Sequence, residues 1–127
     1  MNAAGFVAVG VGAMLGAWLR WALGYFLHTL YPAIPPGTLV ANLVGGYLVG
    51  VAVAFFAGHT ALSAEWRLFA ITGFLGGLTT FSTFSAEGVA LLGQARYAAA
   101  FTHAALHLCG SLAATIAGIA TWRAVSA

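Results

Sequence analysis

Gly73-Phe74-Leu75-Gly76-Gly77-Leu78-Thr79-Thr80-Phe81-Ser82-Thr83-Phe84-Ser85 lies inside the third long apolar stretch of the chain. Its three glycines weaken a helix, and a dense run of hydroxyls and two phenyl rings follows. In hydrocarbon, irregular backbone survives only where it is buried in protein or lines a cavity. An interrupted helix at midplane depth therefore points to an ion or substrate site. A purely structural kink is the competing reading. The hydroxyls favour a site, because they follow the break at once and can donate to a ligand.

Working outward, the whole chain is apolar. Of 127 residues, 62% are hydrophobic and 5% charged. Soluble domains carry about 25% charged residues, so these residues build an integral membrane protein. The cations are Arg20, Arg67, Arg96 and Arg123, and the acids are Glu65 and Glu87. So thin a charge excludes a nucleic-acid footprint, which needs a clustered basic face. Cys109 is the single cysteine and reads as a small packing residue. The start, Met1-Asn2-Ala3-Ala4-Gly5, lacks a basic leader and is expected to remain as the beginning of the first helix. No catalytic triad, phosphate loop or Cys-x-x-Cys is present, so an enzyme is not expected.

A spanning helix needs about 20 mainly apolar residues. Four segments qualify: Gly5 to Leu27, Gly37 to Ala57, Glu65 to Leu92 and Tyr97 to Trp122. Together they make one all-α, four-helix membrane domain over residues 1–127, with the third helix broken near its middle. The prolines of Tyr31–Pro36 separate the first two spans. Gly58-His59-Thr60 ends the second, Ser63 is positioned to cap the third, and Gly93-Gln94 ends it. Gly12 with Gly16, and Gly46 with Gly50, are small pairs one helical turn apart, which let backbones approach closely in lipid.

Arginine does not decide the orientation. Arg67 and Arg123 fall on the side of both termini, and Arg20 and Arg96 fall toward the other. The bias that normally sets topology is thus absent. Either something else orients the chain, or it inserts both ways and pairs with an inverted copy. Such an antiparallel homodimer would supply the inverted symmetry that larger transporters encode by duplication.

Asn42 sits inside the second span, and Thr38, four residues earlier, shares its face. The pair marks either a polar path or an interhelical hydrogen bond. Phe81 and Phe84, three apart, would face one way on a helix, among Ser82, Thr83 and Ser85. Phenyl edges are weakly positive, so ring edges and hydroxyls together could replace the hydration shell of a small anion. Ser111 and Thr115 could extend this stripe along the fourth span, or bond back to their own helix carbonyls. Arg20 could draw anions into a vestibule or snorkel to the interface. Glu87 is the one acid well inside a span and a functional suspect by default. His103 and His107, four apart, read as structural histidines, since no further strong ligand set accompanies them in sequence.

Three blocks carry a family resemblance: Gly12-Ala13-Met14-Leu15-Gly16-Ala17-Trp18-Leu19-Arg20, Gly37-Thr38-Leu39-Val40-Ala41-Asn42-Leu43-Val44-Gly45, and Gly76-Gly77-Leu78-Thr79-Thr80-Phe81-Ser82-Thr83-Phe84-Ser85. With the four-span layout, the chain resembles the Fluc (CrcB) family of fluoride channels. The resemblance implies a plasma (inner) membrane, multi-pass protein that is an antiparallel, dual-topology homodimer with two fluoride pores. It implies a structural sodium ion at the dimer centre, held by backbone carbonyls of Gly76 and Thr79. It also implies an aromatic lining of Phe81 and Phe84, pore membership for Asn42, and a polar track through Ser82, Thr83, Ser111 and Thr115. Arg20 matches a vestibule arginine. A small multidrug exporter shares the four spans and the dual topology. It needs an acid deep in the first span, where this chain has none.

Overall fold

The computed structural model describes residues 1–30 and 34–127, so Tyr31, Pro32 and Ala33 of the first loop lie outside the described residues. Among the described residues, four helical stretches are long and apolar enough to cross a membrane. The first is α1 (Ala3–Leu27), opened by Asn2, whose side chain accepts the Gly5 N–H at 2.7 Å. The second is α2 (Pro36–Gly58), with Pro36 in the first turn, where its missing N–H costs nothing. The third, Ala64–Gly93, is composite. It runs through α3 (Ala64–Arg67), a π-helical stretch Leu68–Leu75, α4 (Gly76–Leu78) and, after three non-helical residues, α5 (Ser82–Gly93). The fourth is α6 (Tyr97–Ser126), a turn longer than the sequence suggests. Ser63 stands at the start of α3 in extended conformation, but its side chain makes no capping bond.

The outside is apolar almost everywhere: Phe6, Trp21, Val89 and Ile116 are all well exposed. That surface is stable only in lipid or against another copy. Inside, the helices approach at backbone distance. A Cβ on Gly12 would lie 2.8 Å from Phe74 N and against the Phe69 carbonyl, and one on Gly73 would lie 2.8 Å from the Val9 carbonyl. Helix α1 thus seats directly on the π-helical stretch and α4. On the other side, a Cβ on Gly50 would meet the Thr115 carbonyl and one on Gly118 the Tyr47 carbonyl, so α2 and α6 are equally close. Both small pairs read from the sequence lie at these two seams, where packing rather than hydrophobic driving force joins helices in lipid.

The break does not fall at the glycines. Gly76–Leu78 stays helical, and the chain leaves the helix at Thr79, whose ψ is 156°. Gly73 and Gly77 serve the seam with α1, while two side chains, Asn42 on α2 and Thr80 within the break itself, produce the break. Thr80 N–H donates to Asn42 Oδ1 at 2.8 Å instead of to Gly76, and Thr83 N–H donates to Thr80 Oγ1 at 3.1 Å instead of to Thr79. Those two diversions remove the bonds a continuous helix would have used.

Candidate pore site

Asn42 organises the site. Its Nδ2 donates to the Thr80 carbonyl at 3.0 Å and to His107 Nδ1 at 3.0 Å, while Oδ1 accepts from Thr80 N–H. One amide therefore replaces the lost helix bonds of Thr80 and ties α2 to the break and to α6. Both amide protons are committed within the chain. Thr80 is the residue that sequence reading passed over. Its central place between Asn42 and α5 depends on a contact 38 positions away in the chain, which no local pattern reveals.

The phenyl rings meet, though not for the reason expected. Phe81 lies outside the helix, just before α5, and is 79% exposed, whereas Phe84 is half-buried on α5. Their centroids are 5.3 Å apart at an interplanar angle of 47°. Phe84 stacks on His103, with centroids 5.0 Å apart, and lies 4.8 Å from the His107 ring. Phe81, Phe84, Asn42, Thr80, His107 and Ser111 all line one open groove of about 510 Å³.

The hydroxyls divide into two groups. Ser82 Oγ lies 3.2 Å from Thr80 Oγ1, beside the break. Thr83 contributes its backbone N–H to the turn at Thr80. Ser111 stands on the groove wall. Thr115 donates instead to the Gly46 and Ser111 carbonyls, at 2.9 and 3.0 Å, so its proton is spent on packing α2 against α6. Thr38 is buried and donates to Glu87 Oε1 at 2.6 Å. It shares a face with Asn42 but serves the acid of α5 rather than the groove. Arg20 Nε donates to the Gly77 carbonyl at 3.1 Å, which ties the first span to the third just ahead of the break.

Gly76 and Thr79 were expected to offer carbonyls to sodium. Both lose the N–H four residues on that a helix supplies, because Asn42 and Thr80 take those donors. Gly76 is exposed, with nothing nearer than 3.7 Å to an added Cβ. Two carbonyls without helical donors at an open face fit a hard cation that prefers oxygen ligands.

The sequence expectation for the histidines needs correction. His103 and His107 do have an acidic companion. His103 Nε2 lies 3.8 Å from Glu87 Oε2, and both imidazoles are buried. The reason is tertiary: α5 folds back on α6 after the turn at Gln94–Arg96 and brings Glu87 alongside.

Residues 7–119 match the family described as CrcB-like protein, Camphor Resistance (CrcB). The chain is similar to a Fluoride-specific ion channel FluC of Pseudomonas putida, 59% identical over 120 residues, with 94% of each chain covered. It is similar to a protein of the same name from Cupriavidus metallidurans, 58% identical over 126 residues covering 99% of this chain and 100% of that one. A third relative so named, from Chromobacterium violaceum, is 60% identical over 117 residues, covering 92% and 93%.

Proposed function

Since this chain belongs to the CrcB family, a family of ion channels rather than enzymes, we propose that it is a fluoride-selective channel of the inner membrane, conducting passively and exporting fluoride. The carrying observation is the groove at the break, where a side-chain amide, hydroxyls and two phenyl rings converge. A bare anion in hydrocarbon is prohibitively costly, so a pore must supply compensating dipoles along the way. Phe81 and Phe84 offer positive ring edges without a tight-binding cation, and Ser82, Thr83 and Ser111 offer hydroxyls. Asn42 donates to a passing fluoride by exchanging one of its two internal partners. The His107 bond is the easier to give up, because the Thr80 carbonyl is paired with a second bond to the same amide. Several weak sites let the ion leave as well as enter.

The working unit in this reading is an antiparallel, dual-topology homodimer with two pores. Its support is the balanced arginine count and the extensive apolar outer face. The carbonyls of Gly76 and Thr79 from two copies would hold one sodium ion, which contributes fixed positive charge and locks the interface. Arg20, bonded to Gly77 beside them, adds positive potential at the approach. Thr38, whose hydroxyl is held by Glu87, stands beside this path rather than on it. A proton-coupled multidrug exporter is disfavoured, because α1 carries no acid and Glu87 belongs to the third span.

The test is efflux from liposomes under imposed fluoride and chloride gradients. Fluoride should leave fast and chloride should not. Equal flux of the two ions would refute the selectivity. Asn42→Ala, Phe81→Ala and Phe84→Ala should each slow fluoride, and full activity in all three would refute the pore assignment.

A further inference from the structure

Glu87 on α5 and His103 and His107 on α6 form a cluster that the proposed fluoride path leaves unexplained. One ring nitrogen of each histidine and one carboxylate oxygen all lie within 4.8 Å of one another. The imidazoles are 0% and 4% exposed. Among the described residues, Glu87 Oε2, His103 Nδ1 and His107 Nε2 are buried without a hydrogen-bond partner. Unpaired polar atoms are costly in hydrocarbon, and three in one cluster call for a shared ligand.

We propose that these three residues bind one divalent transition-metal ion of the zinc class. Two imidazoles and a carboxylate suit zinc, cobalt or nickel, whereas calcium and magnesium prefer all-oxygen shells. Three protein ligands leave a fourth position open to water or an anion. Tetrahedral bonds of about 2.0–2.1 Å place ligand atoms ~3.4 Å apart, so the trio needs only a modest closing in. The site differs from the sodium proposal in its residues, its donor chemistry and its metal.

His103 Nε2 faces both Glu87 Oε2, at 3.8 Å, and the Phe84 carbonyl, at 3.1 Å, so a metal takes this ring either by displacing the Phe84 bond or by a ring turn that presents the unpartnered Nδ1. One of the ligands is already set. The Thr38 hydroxyl holds Glu87 Oε1 at 2.6 Å and leaves Oε2 free. Such outer bonds orient metal ligands and raise their affinity. The third ligand is held the other way. Asn42 Nδ2 donates to His107 Nδ1, so the neutral ring carries its proton on Nε2. A metal at Nε2 displaces that proton, and Asn42 must then present an oxygen to Nδ1–H. Asn42 therefore restrains the site, and a carboxylate at that position releases the restraint.

The experiment uses the full chain, purified in detergent, with the exposed His28 and His59 both replaced by alanine. Cobalt(II) is titrated and its visible d–d absorption recorded, so the readout does not depend on fluoride conduction. The expected result is one cobalt per chain with an intense tetrahedral spectrum. Glu87→Gln, which keeps the shape, and His103→Phe, which keeps a ring on Phe84, should each weaken binding at least tenfold. Asn42→Asp should tighten it by about 10- to 100-fold, the range known for outer-shell partners. The proposal is overturned if folded protein gives no saturable tetrahedral spectrum, if Glu87→Gln leaves the affinity unchanged, or if Asn42→Asp fails to raise it.

Discussion

Replacing Asn42 by alanine should uncouple the break from the helix that holds it. The side chain takes part in three hydrogen bonds, two to the backbone of Thr80 and one to His107. Polar contacts between membrane helices average ~0.6 kcal/mol each, so the loss totals about 2 kcal/mol. At 1.4 kcal/mol per decade, that is a roughly 20-fold shift toward an open break. The Thr80 amide reports it directly, because its acceptor is Asn42 Oδ1 and not a helix carbonyl. Amide hydrogen exchange at Thr80 should therefore accelerate by roughly 20-fold in Asn42→Ala. In Asn42→Asp, which keeps an acceptor oxygen, protection should be largely retained. Fluoride efflux from liposomes should fall in Asn42→Ala by a factor of ten or more. If Thr80 exchanges as slowly in Asn42→Ala as in the parent, Asn42 does not hold the break and the reasoning fails.

Other changes test other parts of the structure. Thr38→Val removes the 2.6 Å donor to Glu87 Oε1 at nearly constant volume; it should cost about 1.5–3 kcal/mol, while Thr38→Ser should cost much less, as read by thermal unfolding in detergent. Gly50→Leu places a side chain against the Thr115 carbonyl and should destabilise the α2–α6 seam by at least the ~1–3 kcal/mol typical of overpacking, with a lowered melting temperature and lost flux. Ala95 adopts φ 56°, in the left-handed region, at the turn between α5 and α6; Ala95→Gly should raise stability by up to about 1 kcal/mol and leave flux unchanged, and a lower melting temperature would contradict the strain. Exchanging sodium for a much larger cation should weaken self-association of the purified chain; an unchanged association constant would argue against carbonyl ligation at Gly76 and Thr79.

Hydrophobicity alone determined the class, the number of spans and their ends to within a few residues, because burial in lipid imposes length and composition on every crossing helix. The glycine pairs were legible too, since a spacing of four is local and its consequence, close backbone contact, follows on any helix. The presence of a break in the third span was readable from Gly73 to Ser85, but its position and cause were not. Tertiary structure moved it to Thr79–Phe81, because Asn42 on α2 captures the Thr80 N–H and so removes a helix bond. Thr115, legible either as a pore hydroxyl or as a back-bonding one, does bond back to the Ser111 carbonyl, and only the tertiary structure adds its contact with the Gly46 carbonyl of α2. Glu87, legible as a lone acid, gains Thr38 from the distant α2 and two histidines from α6, which folds back beside it. Local sequence sets what each helix is. Which donor reaches which acceptor is decided only when four helices meet at backbone distance.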